Sequence, residues 1–212
     1  MPQLYYAPGN ASLFPHMLLR EIGVPFELKL VDRSQNAQKS AAYLRLNPHG
    51  LIPVMVEDDG ECIYETAAVA LHLADKHPAA GLAPLVGTPL RAAYYKWMLH
   101  LSSVIQGGFR HWFYPHEAVA DPTAAETAKA ASGARMMAAF DKIADQLGGG
   151  PYLLGETFSA PDLYLLMLTR WGRTLPRPAR DVPEIGAHAE RVLVRPAVRA
   201  AFAAEGLEAP FV

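Results

Sequence analysis

The stretch that most constrains this chain runs from Asn47 to Thr66. It reads Asn47-Pro48-His49-Gly50-Leu51-Ile52-Pro53, then Val54-Met55-Val56, Asp58-Asp59-Gly60, Cys62-Ile63-Tyr64 and Glu65-Thr66. Two apolar triplets flank Asp-Asp-Gly, the pattern of a hairpin with a glycine-containing turn. Pro53 has no N–H to give a ladder, so it marks a strand start or a sheet edge, and it pushes Ile52 toward an extended conformation. The second triplet runs straight into Glu65-Thr66 and an apolar helical pattern. A carboxylate and a hydroxyl therefore stand at a helix N-terminus, where unpaired N–H groups favour anions. As chemistry, Ile52 offers a backbone N–H and C=O for strand-like pairing, and the Glu65-Thr66 corner can hold an ammonium and a carboxylate. As structure alone, Xaa-Pro starts a strand and Glu-Thr caps a helix. The order and tight spacing of the pieces favour a docking place for a small extended peptide.

The 212 residues suffice for one large or two small domains, and 51% apolar with 19% charged residues is the composition of a globular chain with a core. Lys and Arg number 19 against 21 Asp and Glu, a net charge of −2, with no basic run, which argues against nucleic acid as the main partner. No apolar run reaches the length of a membrane span and no leader precedes the first strand, so neither a membrane nor an export signal is expected. The one cysteine, Cys62, cannot form an internal disulfide and fits a reducing cytoplasm. It falls in a predicted strand and reads as a buried packing residue. The eight histidines are scattered without metal-ligand spacing, so no metal is expected.

Along the chain, Gln3 to Tyr6 predicts a strand ending at Ala7-Pro8-Gly9-Asn10. A helix opens near Ser12 and closes at Gly23, with Leu13, Met17, Leu18 and Ile22 at helical spacing. Glu27 to Val31 alternates as a strand, and Lys39 to Leu46 is a short helix stopped by Asn47-Pro48. After the hairpin, Thr66 to about His77 is helical. The order β-α-β-α-β-β-α predicts a thioredoxin-like α/β domain over residues 1–78. Residues 79–89 are a Pro/Gly-rich linker, and 90–212 read as an all-α domain. There a long helix reaches about Phe113, with a kink expected at Gly107-Gly108. Thr123 to Leu147 follows, and Ser159-Ala160-Pro161-Asp162 forms a capping box with Phe158 and Leu163 as its staple. Two short helices close the chain, around Ile185 to Val192 and Pro196 to Gly206.

Leu4-Tyr5-Tyr6-Ala7-Pro8-Gly9, the Asn47–Thr66 block, the capping box and Arg195-Pro196-Ala197 together resemble the glutathione transferase family over nearly the whole chain. The resemblance implies a cis bond at Ile52-Pro53, glutathione as co-substrate paired to the backbone of Ile52, and its γ-glutamyl end held by Glu65 and Thr66. It also implies a homodimer. The bacterial beta class is the nearest in flavour, but its cysteine two residues after Pro-Gly is Ala11 here. Its His-Lys pair is replaced by Gln106-Gly107. Its mechanism therefore does not transfer.

Near the expected thiol stand Asn10 and Ser12. Ser12 reads either as a thiolate donor, the role serine has in several classes of the family, or as a helix N-cap. Asn10 reads as a donor or a turn residue, and Tyr6 as core. Lys39 pairs with the glycyl carboxylate or is a solvated lysine. Gln106, Phe109, Arg110, Trp112, Phe113 and Trp171 are candidate walls of an apolar co-substrate pocket, expected between the two domains, with Arg110 its one cation. The resulting expectation is an enzyme conjugating glutathione to an apolar electrophile through a stabilised thiolate. Its alternatives are a glutathione-dependent disulfide or peroxide reductase and a non-catalytic glutathione carrier.

Overall fold

The computed structural model describes all residues, 1–212. The chain forms two compact units, one of Met1–Ala83 with Val194–Phe211, the other of Pro84–Leu193 with the final Val212.

In the first unit, β1 (Gln3–Tyr6), α1 (Leu13–Ile22), β2 (Glu27–Leu30), α2 (Ala41–Leu44), β3 (Val54–Val56), β4 (Cys62–Tyr64) and α3 (Thr66–Lys76) follow one another. The sheet order is β2-β1-β3-β4. Leu4 lies opposite Leu28 in a parallel pair and opposite Met55 in an antiparallel one, while Met55 faces Ile63 across the hairpin. This is the thioredoxin-like arrangement. Alternation sends Leu4 and Met55, both fully buried, to one side of the sheet. Tyr5 and Val54 go to the other, where Val31, Tyr43 and Val54 form a cluster with Tyr5, Ile52, Cys62 and Tyr64 packed on it. Helix α1 buries Leu13, Phe14, Met17, Leu18 and Leu19 and stops at Gly23, whose φ of 79° only glycine adopts at little cost. Cys62 is half-buried, less enclosed than expected, and burial, then the Glu61 charge, pushes its thiol pKa up. It is not a poised thiolate.

The last helix makes its contacts in the first unit. Helix α9 (Pro196–Ala204) buries Val198, Ala201 and Phe202 and packs on α1, so by contact residues 194–211 group with the first unit. Arg195 secures the joint by forking onto Glu21, Nε to Oε1 at 2.6 Å and Nη2 to Oε2 at 2.8 Å.

The second unit is helical: α4 (Pro89–His100), α5 (Gly107–Phe113), α6 (Ala125–Leu147), α7 (Ala160–Trp171) and α8 (Pro183–Leu193). Helix α7 is buried from Ala160 through Arg170 and is the core rod of this unit. Its capping box is present: Asp162 Oδ2 accepts from the Ser159 N–H at 2.9 Å and from the Ser159 hydroxyl at 3.2 Å. Asp162 Oδ1 also takes the Leu153 N–H at 2.9 Å and His188 Nε2 at 3.0 Å. Where a kink was expected at Gly107-Gly108, the irregularity comes earlier, as a π-helical stretch over Leu101–Gln106 joining α4 to α5. Gly108 serves close packing instead: a Cβ there would meet Met136 Sδ at 2.2 Å, so glycine lets α5 approach α6 without displacing the Met136 side chain.

Candidate functional site

The segment between α2 and β3 is built on backbone hydrogen bonds. Asn47, 2% exposed, donates its Nδ2 to the Leu51 carbonyl at 2.8 Å and accepts the His49 N–H on Oδ1 at 3.0 Å. Gly50 turns the chain at a φ of 61°, and a Cβ there would lie 2.8 Å from Gln38 O and from Lys39 Nζ. Lys39 is exposed and donates to the His49 carbonyl at 3.2 Å. The segment arrives at Ile52-Pro53, whose peptide bond is cis. No hydrogen bond within the chain engages the Ile52 N–H or C=O.

Beyond the hairpin, Glu65 sits at the mouth of α3 with φ 73° and ψ 119°, a region a residue with a Cβ adopts only at a cost of about 1–3 kcal/mol. Its side chain is exposed and caps nothing. Thr66 follows at 3% exposure. An uncapped helix N-terminus, a strained carboxylate residue and a hydroxyl thus occupy one corner, a surface suited to a ligand carrying both an anion and an ammonium.

The loop after β1 is organised differently from the sequence expectation. Ser12 has helical dihedrals, φ −65° and ψ −19°, and makes no cap hydrogen bond. Its hydroxyl is fully buried, accepts the Ala7 N–H at 3.2 Å and reaches the Ala7 carbonyl at 3.3 Å. It stands at the N-cap position, but its side chain neither caps the helix nor faces outward as a donor; the turn Ala7–Asn10 folds the chain back so that Ala7 takes it. Asn10 is partly exposed, its Oδ1 accepts the Ala11 N–H at 2.8 Å, and both N–H donors of its Nδ2 are left over. Tyr6 lies at the end of β1 with its ring tilted against His16, centroids 6.4 Å apart.

Beneath this loop lies a group that the sequence did not reveal. Glu205, 4% exposed, accepts the Gly9 N–H on Oε2 at 2.8 Å and pairs through Oε1 with His16 Nδ1 at 2.8 Å. His16 is fully buried, and the Arg20 Nε–H donates to its Nε2 at 3.3 Å. An Nε2 that accepts leaves Nδ1 as the protonated, donating nitrogen, so neutral imidazole satisfies both bonds. Glu205 lies 189 residues from His16, and no local pattern could have joined them.

In the helical unit the expected pocket walls divide. Phe109 is fully buried, stacked on Phe113 and edge-on to Trp171, and is core rather than wall. Its spacing of four from buried Ile105 carried that signal. Arg110 is not a free cation: it forks onto Glu117, Nε to Oε2 at 2.6 Å and Nη2 to Oε1 at 2.7 Å. Gln106 accepts from the Tyr164 hydroxyl. Trp112 donates to Thr174 Oγ1 at 2.9 Å and closes over Gly133. Phe113, 41% exposed, with the partly exposed Trp171 at its edge, leaves an apolar aromatic surface.

Known proteins share this construction. Residues 12–76 match the family model described as glutathione S-transferase, N-terminal domain, and residues 126–204 match the C-terminal domain. The glutathione S-transferase GstA of Escherichia coli O157:H7 is 28% identical over 97% of this chain and 100% of its own. Among solved structures, a ternary complex of BphK, a bacterial transferase of this type, is 35% identical with a TM-score of 0.86 over 97% of this chain and all of that one. A glutathione transferase homologue from sulfitobacter, solved with bound glutathione, is 27% identical with a TM-score of 0.90 over 98% and 99% of the two chains. With both domain models matched and the likeness running the length of the chain, this protein belongs to the glutathione S-transferase family and is a transferase enzyme.

Proposed function

We propose that the chain binds glutathione along Ile52 and the Glu65-Thr66 corner and transfers its thiolate to an apolar electrophile. The observation that carries this reading is the strained, uncapped start of α3 beside an Ile52 peptide with no partner in the chain. A strained residue kept at an exposed helix mouth does nothing for stability, and an extended peptide with an amino-acid end uses both features. Lys39, with two N–H donors beyond the one on His49, serves the far carboxylate.

An ordinary thiol near pKa 8.5 is only a few per cent ionised near neutral pH, and one amide donor worth about 1.4 kcal/mol lowers its pKa by about one. Asn10 Nδ2 supplies that donor, and Ser12 holds the loop shut from behind. The Phe113–Trp171 surface, with the nearby guanidinium already neutralised by Glu117, suits an apolar or aromatic electrophile rather than an acidic one. The single thiol fits a cytoplasmic setting, and the exposed Leu90, Tyr95 and Leu99 on α4 support a homodimer, which light scattering at micromolar concentration tests.

Ala11 in the cysteine position and the burial of Ser12 favour one rival, a glutathione carrier with little turnover. The deciding experiment assays glutathione turnover against an aryl halide, an organic peroxide and a mixed disulfide, with calorimetric titration of glutathione alongside. Turnover with the aryl halide supports transfer, and turnover confined to the peroxide or disulfide makes the chain a reductase. Binding without any turnover makes it a carrier, and no binding overturns the reading.

A further inference from the structure

The geometry points to Tyr43 and Asn47 as positioning residues that aim the Ile52 N–H at glutathione through the far side of the same peptide plane. This rests on the glutathione reading above and extends it to two residues that touch no ligand. The Leu51 carbonyl receives two side-chain donors, the Tyr43 hydroxyl at 2.8 Å and Asn47 Nδ2 at 2.8 Å. A carbonyl oxygen has two lone pairs, and both are used. The Leu51–Ile52 bond is trans, so the Leu51 C=O and the Ile52 N–H lie in one rigid plane and point in opposite directions. Fixing the oxygen from two sides fixes where the N–H points.

Side-chain packing of Leu51 does not supply this. Leu51 is 41% exposed, so the residue is held by its carbonyl rather than by its apolar atoms. Each clamp is itself well anchored. Tyr43 is 4% exposed, its ring edge-on to Tyr5 with centroids 6.0 Å apart. Burial, then the Tyr5 beside it, raises its pKa well above the ordinary tyrosine value, so the hydroxyl stays a donor throughout the working pH range. Asn47 is held on its backbone as well: its N–H donates to the Tyr43 carbonyl at 3.0 Å and its carbonyl accepts the Gly50 N–H at 2.9 Å. An asparagine has the donor and acceptor on one short side chain that this turn uses, the first for Leu51 and the second for the His49 N–H.

The test compares Tyr43→Phe and Asn47→Ala with the wild-type chain. Tyr43→Phe removes one oxygen and keeps the ring packed on Tyr5, so folding survives. Each variant is expected to raise the glutathione Kd, by calorimetry, and the glutathione KM by about three- to tenfold, the effect of one lost directional hydrogen bond. The KM for the electrophile and kcat at saturating glutathione stay within twofold. The two substitutions act on one carbonyl, so the double variant should fall short of the product of the singles. In wild-type protein labelled with 15N at isoleucine, the Ile52 amide resonance should move on adding glutathione, and in Tyr43→Phe it should move less at saturation. Wild-type binding with unchanged Kd in both variants overturns the aiming role alone. So does a loss shared equally by kcat and the electrophile KM, since that marks a general structural defect. A wild-type chain that does not bind glutathione overturns the functional reading itself, before any variant is made.

Discussion

Two helix starts in this molecule are built to opposite ends. At α7 the carboxylate of the fully buried Asp162 gathers four donors: the Ser159 N–H and hydroxyl, the Leu153 N–H and His188. At α3 the N-cap residue Glu65 lies in a strained conformation, its side chain caps nothing, and it faces solvent. The first terminus spends its polar groups on the fold. The second leaves the Glu65 carboxylate uncommitted, while the far end of the same helix is tied down: Glu57, with a 7% exposed side chain, pairs with Lys76 and His72 at 2.6 Å each. A helix can therefore be read for function by asking which of its cap side chains is left out of the fold.

The contrast breaks most visibly at Asp162. Asp162→Ala strands several buried donors at once and should cost about 3–5 kcal/mol, roughly 10 °C in melting temperature, with the glutathione KM of the surviving enzyme unchanged. A melting temperature within two or three degrees of wild type would deny that this start is structural.

Glu65→Gly tests the other end. Glycine accepts the positive φ, so stability should rise by about 1 kcal/mol even as the lost carboxylate weakens glutathione binding by roughly 1–3 kcal/mol. Calorimetry and a melting curve on one sample read both signs. Stability and affinity falling together would mean that the strain has another cause.

A third helix start, α1, sharpens the comparison. Asn10→Ala should raise the pKa of the bound thiol by about one and slow turnover about tenfold, followed by thiolate absorbance. Ser12→Ala should lower the melting temperature through the broken Ala7 contact and leave that titration in place. A thiol titration that moves only in Ser12→Ala would reverse the assignment.

The smallest effect concerns the closed end of α3. Burial pushes the Glu57 carboxyl up, but hydrogen bonds from Lys76 and His72 and their charges outweigh it, leaving its pKa below the ordinary 4.5. The folded pKa is depressed, so the stabilisation is present above the unfolded value and is lost as pH falls through the folded one. In Glu57→Gln the loss of stability relative to wild type should therefore be largest near neutral pH and shrink below about pH 4, as denaturant titrations at the two pH values would report.

What the sequence determined by itself is what short-range rules control. Val54–Val56 and Cys62–Tyr64 about Asp-Asp-Gly had to pair, because alternation and a glycine turn leave little else. Ser159 and Asp162, three residues apart, could be read as a box because capping is local geometry. The likeness of Asn47–Thr66 to a known binding block was legible for the same reason, since its parts lie along one continuous segment. Tertiary structure decided the rest. Ser12 looked like a cap or a thiolate donor until the turn at Ala7–Asn10 brought a backbone partner behind it. Arg110 looked like a free cation until Glu117 met it past the end of α5. Residues 194–211 came to pack with the first unit because α9 found its apolar partner in α1, and Glu205 came to lie under Gly9 from the far end of the chain. A side chain's type is written in the sequence, but its direction depends on which distant groups fill its hydrogen bonds, and only the packed chain brings those groups within hydrogen-bonding reach.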